Sequence, residues 1–202
     1  MGLLIQSLLP EDSESWRSIL IEWGQLLDRY EELCRVPRDV AYWYGEVPLT
    51  GLLASAAWRV PGGAGLLELP AKRQVGEAGA TDAWIRTPKG LWYAIEAKVC
   101  WLGANDTSPT DRIDKERQAA CKQLRDLHPK YRLDYRLDHE VALCYVVPSL
   151  REGTFDIVQR VAEQYCKSFP THLVATYQPL DEAPEDEGKH FPGILLVGQQ
   201  VW

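Results

Sequence analysis

The sequence predicts an α/β protein with a central mixed sheet flanked by helices. Three strand-like runs follow one another between residues 66 and 101, and glycines or prolines mark the turns between them. A helical pattern precedes these runs, and a second one separates them from residues 141–147. That last run is continuously apolar, which is typical of a strand buried on both faces.

Length and composition predict one domain. The chain of 202 residues divides into an N-terminal helical extension, 1–37, and an α/β core, 38–202. Its longest apolar run falls well short of the ~20 residues that a membrane span needs, so no membrane contact is expected. The five cysteines are widely spaced and form no Cys-x-x-Cys pair, which favours reduced thiols in a cytoplasmic protein.

The N-terminal extension predicts one amphipathic helix that begins at Ser13 and ends before Pro37. Its large apolar residues recur at helical spacing, and acidic residues occupy the opposite face. We expect this stripe to pack over the core or against a partner, either another protein or a second copy of the chain. The stripe consists of Trp16, Ile19, Leu20, Trp23, Leu26, Leu27, Tyr30 and Leu33.

A polar pair at the end of an apolar strand is the main functional signal. Residues two apart on a strand share a face, so Glu96 and Lys98 are expected side by side in the run 91–101. Asp82 lies in the preceding run, and the turn 87–90 between the runs predicts a hairpin. This hairpin would bring two carboxylates and an ammonium group together.

These residue types suit phosphodiester hydrolysis with Mg²⁺ or Mn²⁺. Mg²⁺ prefers oxygen ligands and retains several waters, so Asp82 and Glu96, helped by the backbone carbonyl of Ala97, are sufficient protein ligands. Lys98 would position the attacking water or stabilise charge on the phosphate. Glu46 would bind the metal through water or recruit a second ion. Glu68 and Glu77 are alternative acidic ligands.

The order of helix, three strands, helix and strand over residues 39–148 resembles the PD-(D/E)XK superfamily, the restriction-endonuclease-like nucleases. The resemblance is carried by Glu46, Asp82 and the Glu96-Ala97-Lys98 triplet. It implies a restriction-endonuclease-like sheet and a metal-dependent endonuclease that cleaves DNA, with RNA left open as a substrate.

The resemblance also implies a glutamine on the helix that follows the third strand. Gln118 or Gln123 occupies the matching stretch, and Gln118 is the preferred candidate. The chain departs from the family pattern before Asp82, where it has Thr81 and many members have a proline or a glycine-rich approach.

The same helical stretch carries the main concentration of positive charge. Eight basic and four acidic residues between Arg112 and Arg136 give +4, against −11 in the rest of a chain whose net charge is −7. One reading is a solvated helix with internal ion pairs. The other is a surface for the nucleic-acid backbone, formed by Arg112, Lys115, Lys122 and Arg125.

A second function class also fits the sequence. Glu96 and Lys98 can be an ordinary surface pair, and Glu46 can serve only to start the helix around Pro48. The chain would then be a non-catalytic protein of the same fold, acting as an inhibitory, scaffold or protein-binding module. Its acidic balance and its amphipathic N-terminal helix favour that alternative.

Overall fold

A seven-stranded mixed sheet lies between two layers of helices. The computed structural model describes residues 2–34, 39–72, 78–103, 106–127, 129–150, 155–179, 185–186 and 188–201. The helices are α1 (Ser13–Leu33), α2 (Glu46–Arg59), α3 (Pro109–Arg125), α4 (Pro129–Asp134) and α5 (Phe155–Ser168). The strands are β1 (Leu3–Ser7), β2 (Ala64–Lys72), β3 (Ala78–Arg86), β4 (Trp92–Gly103), β5 (His139–Ser149), β6 (Leu173–Tyr177), β7 (Glu185–Asp186), β8 (Lys189–His190) and β9 (Ile194–Gln200).

The sheet has the strand order β1-β6-β9-β5-β4-β3-β2. Strands β2, β3 and β4 form an antiparallel meander, and β4 then pairs in parallel with β5 through a crossover that contains α3. Strand β9 is antiparallel to both β5 and β6. The predicted α/β class with a mixed sheet and flanking helices is confirmed, whereas the specific restriction-endonuclease-like fold stays a prediction.

Alternate residues of β4 pack on opposite sides of the sheet, as the sequence pattern predicts. Tyr93, Ile95 and Ala97 belong to the large core formed with α1 and α2. Ala94 packs with α3, and Cys100 packs with α3 and α5. Because the pairing of β4 with β5 is continuous from Tyr93 to Gly103, this alternation holds along the strand.

Helix α1 begins at Ser13, as predicted, and its two tryptophans are core residues. Trp16 and Trp23 are fully buried, and the Trp16 ring meets Tyr93 edge to face at 5.3 Å. Leu33 shares the helical spacing of the apolar stripe, yet it is 75% exposed at the end of the helix and does not pack on the core of this chain. The chain before α1 contributes β1, an edge strand that pairs with β6 and that the sequence pattern did not reveal.

Two glycines set the position of α2. Gly45 has φ 84°, a conformation that glycine adopts without the steric cost of a side chain, and it precedes the first residue of the helix. Gly65, at the start of β2, faces the helix so closely that an added Cβ would lie 2.1 Å from the Ala54 carbonyl oxygen. The glycines of the loop 61–65 therefore permit direct packing of α2 on β2. Pro48 lies in the first turn of α2, as predicted.

All five cysteines are free thiols. Cys100, Cys121 and Cys144 are buried, whereas Cys34 and Cys166 are half-buried. Among the helices in the described ranges, none combines the length and the apolar character that crossing a bilayer requires.

The packing of α1 predicts different effects on stability for two leucine substitutions. Leu27 is 1% exposed and Leu33 is 75% exposed, and both lie on α1. Leu27→Ala should lower the free energy of unfolding by about 2–5 kcal/mol, because it leaves a cavity in the core. Leu33→Ala should change it by less than about 0.5 kcal/mol. Urea denaturation followed by circular dichroism measures both, and equal effects would contradict the burial of this helix face.

Candidate functional site

The candidate site lies where β3 and β4 stop pairing with each other. Their paired register ends at Ala83 and Ile95. Beyond that pair, β4 continues along β5, while β3 continues along β2. The two strands therefore separate beside Asp82 and Ala97, the region where the sequence pattern placed the site.

Asp82 holds the two strands together across this separation. Its Oδ2 accepts a hydrogen bond from the backbone N–H of Ala97 at 2.7 Å. The side chain thereby replaces the backbone carbonyl that would accept this hydrogen bond in a continued ladder. A charged acceptor makes such a bond stronger than a neutral one would, so the Asp82 carboxylate is anchored beside β4.

Lys98 places a positive charge in the gap between β3 and β4, where the two strands separate. Its Nζ donates a hydrogen bond to the Ala97 carbonyl at 2.7 Å and lies 3.8 Å from Oε1 of Glu46. The Lys98 side chain is 23% exposed and that of Glu46 is 33% exposed. The ammonium group thus links the middle of β4 to the first residue of α2.

Glu46 is held in a setting that disfavours its charge. Burial is the largest cause and raises the pKa of the Glu46 carboxyl, and the nearby carboxylates of Asp82 and Glu116 raise it further. The Lys98 ammonium and a hydrogen bond with the Val99 backbone act in the opposite direction without cancelling the rise. A cation between the carboxylates of Glu46 and Asp82 would relieve this cost.

A small cleft of about 40 Å³ opens beside these residues. Glu68 is on its wall and has φ 50°, an uncommon conformation for a residue with a side chain. The β2–β3 register skips Glu68, so the local backbone departs from the regular ladder next to Asp82. The lining residues are Glu46, Val47, Thr50, Leu67, Glu68 and Asp82. Glu77, the other alternative acid, lies outside the described residues.

Glu96 occupies a different position from the one that the hairpin argument suggested. It is 1% exposed and does not line the cleft. The alternation of β4 places it with Ala94 and Cys100, on the α3 side of the sheet, whereas Glu46 begins α2 on the other side. Lys98 leaves β4 on the same side as Glu96, but its ammonium folds back to the Ala97 carbonyl. The role of Glu96 as a metal ligand stays a prediction.

The glutamines of α3 are not part of the cleft wall. Gln118 is exposed, and Gln123 is half-buried on the same helix. Glu116 is the α3 residue whose charge influences Glu46, although the sequence pattern did not single it out. The catalytic role assigned to Gln118 remains a prediction that this arrangement does not strengthen.

The basic residues of α3 divide into internal and exposed groups. Arg117 is 2% exposed, pairs with Asp114 and lies over the Phe169 ring at 5.6 Å. Arg112 forms an exposed pair with Asp106 at 2.7 Å. The predicted nucleic-acid contacts Lys115, Lys122 and Arg125 are exposed.

Sequence reasoning missed two buried hydroxyl groups, of which the first lines the cleft. Thr50 on α2 hydrogen-bonds to the Tyr145 hydroxyl on β5 at 3.4 Å. Burial raises the pKa of Tyr145, and the charges of Asp82 and Glu46 add to the rise, so the phenol stays neutral. Both residues lie in apolar runs that resemble ordinary core segments, so no local pattern marks them.

The donor set of the site fits a hard divalent cation. Asp82 and Glu46 offer carboxylate oxygens and Ala97 offers a carbonyl oxygen, which are the ligands that Mg²⁺ and Mn²⁺ prefer. Within the described ranges, no three His, Cys, Asp or Glu side chains converge into a metal-binding group. Mg²⁺ retains several waters and is commonly held by one or two carboxylates, so two carboxylates and a carbonyl suit it.

Comparison with known proteins finds no matching family model, no matching curated protein and no matching solved structure.

The raised pKa of Glu46 leads to a prediction about stability. Above the usual glutamate range, near pH 4, the unfolded chain carries this charge easily whereas the folded chain does not. Wild-type stability should thus fall as the pH rises through the Glu46 pKa. Glu46→Gln should therefore raise the melting temperature at pH 7, and this gain should shrink toward pH 4.

The matched control is Glu163→Gln, which alters an exposed carboxylate on α5. It should show no comparable gain that grows with pH. A Glu46→Gln variant that melts below the wild type at pH 7 would contradict the electrostatic description of the site.

Proposed function

We propose that this protein is a Mg²⁺-dependent nuclease that hydrolyses phosphodiester bonds, with DNA as its substrate. One observation carries the proposal. At the separation of β3 and β4, the Lys98 ammonium lies between the Ala97 carbonyl and the Glu46 carboxylate, while Asp82 binds the Ala97 N–H. Two carboxylates, a carbonyl and an amine therefore meet at one point of the sheet.

Asp82 and Glu46 would hold the metal together with the Ala97 carbonyl, and Glu96 is the further ligand that the sequence pattern predicts. A bound divalent ion would neutralise charge on the scissile phosphate and lower the pKa of a bound water. The hydrogen bond between Asp82 and the Ala97 N–H would keep one ligand in place before the metal arrives. The raised pKa of Glu46 supports its role as a ligand whose charge is stabilised by a cation.

Lys98 would act on the substrate and the attacking water. An ammonium group can donate several hydrogen bonds, so it can orient the water and stabilise negative charge that develops on the phosphate. Its side chain is 23% exposed, so the ammonium would be accessible to an incoming phosphate. The order α2, β2, β3, β4, α3 and β5 also supports the proposal, since it follows the element order of the nuclease superfamily that the sequence resembles.

The exposed basic residues of α3 would bind the nucleic-acid backbone. Lys115, Lys122 and Arg125 lie on one helix whose first turn follows β4, the strand that carries Ala97 and Lys98. Contacts of this kind give affinity without sequence preference and are weakened by salt.

A non-catalytic binding protein is the second candidate, and exposed apolar side chains near the cleft favour it. Val47 and Leu67 line the cleft and are 63% and 46% exposed. Trp58, which is not part of the cleft wall and lies near the other end of α2, is 60% exposed. Apolar groups clustered on a surface commonly mark protein contacts. Metal-dependent cleavage separates the two candidates, because a binding module would have none.

The nuclease proposal is tested by replacing the anchored carboxylate. The purified wild type should nick supercoiled plasmid in Mg²⁺ and lose this activity in EDTA. Asp82→Asn keeps the shape of the side chain but removes the charge that the metal needs, so the rate should fall at least about 100-fold. Asp134→Asn, on exposed α4, is the control and should cleave like the wild type. Equal rates for Asp82→Asn and the wild type would contradict the proposal.

The proposed DNA-binding surface of α3 is tested by removing two of its lysines. Combining Lys115→Ala with Lys122→Ala should weaken binding to duplex DNA, measured by fluorescence anisotropy without divalent metal. The slope of log affinity against log salt concentration should shrink by about 1.8, because each lost phosphate contact contributes about 0.9. Lys167→Ala, on the exposed face of α5, should leave both quantities unchanged. An unchanged slope in the double variant would place the DNA surface elsewhere.

A further inference from the structure

We infer that Lys98 is an internal cation that closes the site until a divalent metal displaces it. The inference rests on the proposed function and adds a regulatory step to it. In the structure, the Lys98 ammonium contacts the Ala97 carbonyl oxygen at 2.7 Å and lies 3.8 Å from a Glu46 oxygen. Both oxygens belong to groups that would bind the metal.

The Ala97 carbonyl oxygen cannot bind a divalent metal and the Lys98 ammonium together without strong repulsion between the two cations. A Mg²⁺ ion binds oxygen at ~2.1 Å, and the Lys98 ammonium is 2.7 Å from the Ala97 carbonyl oxygen. Two cations on that oxygen would be separated by about 4.8 Å at most. Repulsion at this distance is strong in a partly desolvated gap, so the metal and the ammonium compete for one place.

The geometry of Lys98 allows the ammonium to leave. Its four-carbon stem is flexible, and its side chain is 23% exposed, so the amine can rotate toward solvent. The Asp82 carboxylate does not need to move, because the Ala97 N–H holds it independently of Lys98. Metal binding would thus exchange one cation for another on a framework that is already formed.

This exchange couples metal loading to the availability of the amine. Without the metal, Lys98 is occupied by the Ala97 carbonyl and the Glu46 carboxylate. With the metal in place, the ammonium is released at the mouth of the gap, where it can reach a substrate phosphate. The Lys98 ammonium would therefore be available to the substrate only when the metal is bound.

Isothermal titration calorimetry with Mn²⁺ tests the competition on the chain of 202 residues. Lys98→Met removes the charge but keeps a long unbranched side chain, so it should bind Mn²⁺ at least about 10-fold more tightly than the wild type. Lys167→Met is the matched control, because it removes an exposed lysine on α5, and it should bind like the wild type. Equal or weaker Mn²⁺ binding by Lys98→Met overturns the inference.

The outcome also separates this inference from the proposed function. If both proteins bind Mn²⁺ with the same affinity, the metal site stands and the competition is wrong. If neither protein binds Mn²⁺, the metal-dependent nuclease proposal falls together with the inference.

A second measurement uses the wild type alone and does not depend on how the variant folds. Labelling with a lysine-reactive acetylating reagent, read by mass spectrometry, should modify Lys98 faster in saturating Mn²⁺ than in EDTA. Lys167 in the same sample is the internal reference, and it should be acetylated at the same rate in Mn²⁺ and in EDTA. Labelling of Lys98 that is unchanged or slowed by Mn²⁺ overturns the displacement.

Discussion

The hydrogen bond from the Ala97 N–H to the Asp82 carboxylate is the contact on which the whole site depends. Where β3 leaves β4, the edge of β4 would present a backbone donor without a ladder partner. The side chain of Asp82 supplies the acceptor, which closes the fold at this point and also fixes a carboxylate at the edge of the gap. The bond between the Ala97 N–H and Oδ2 of Asp82 thus satisfies a backbone donor and also positions a carboxylate for the proposed chemistry.

The position of Glu46, across the site from Asp82, depends on how closely α2 approaches the sheet. Gly65 allows the backbone of α2 to touch the start of β2, and Leu49 and Leu53 hold the helix on the core. The first residue of that helix, Glu46, is thereby brought within reach of Lys98 and the backbone of Val99. Burial of this carboxylate disfavours its charge, and the amine of Lys98 offsets only part of the cost. The site is thus a place where the fold tolerates unfavourable electrostatics.

Local patterns predicted the elements that carry the site. The alternation along β4 and the turn after β3 are short-range signals. The structure shows Asp82 bonded to the Ala97 N–H, whereas the predicted approach of Asp82 to Glu96 and Lys98 stays a prediction. The side of the sheet on which Glu96 lies could also have been read from that alternation. Its relation to Glu46 could not, because that depends on which face α2 covers.

Long-range contacts account for what the sequence did not reveal. Strand β1 is short, and its partner β6 lies near the other end of the chain, so no neighbouring signal marks it. The charge pattern of α3 did not show that Arg117 is buried against Phe169 while Lys122 is exposed. The positive φ of Glu68 occurs where its pairing with Asp82 is missing from the otherwise unshifted β2–β3 register, which only the assembled sheet defines.

The decisive measurement is anomalous diffraction from a crystal of the wild-type protein grown with Mn²⁺. A peak between the carboxylates at positions 82 and 46, about 2.1–2.2 Å from their oxygens and from the Ala97 carbonyl, is the result that a metal centre at this strand separation requires. An ordered crystal without a peak there, with the Lys98 ammonium still bonded to that carbonyl at saturating Mn²⁺, would show that this junction is a structural ion pair.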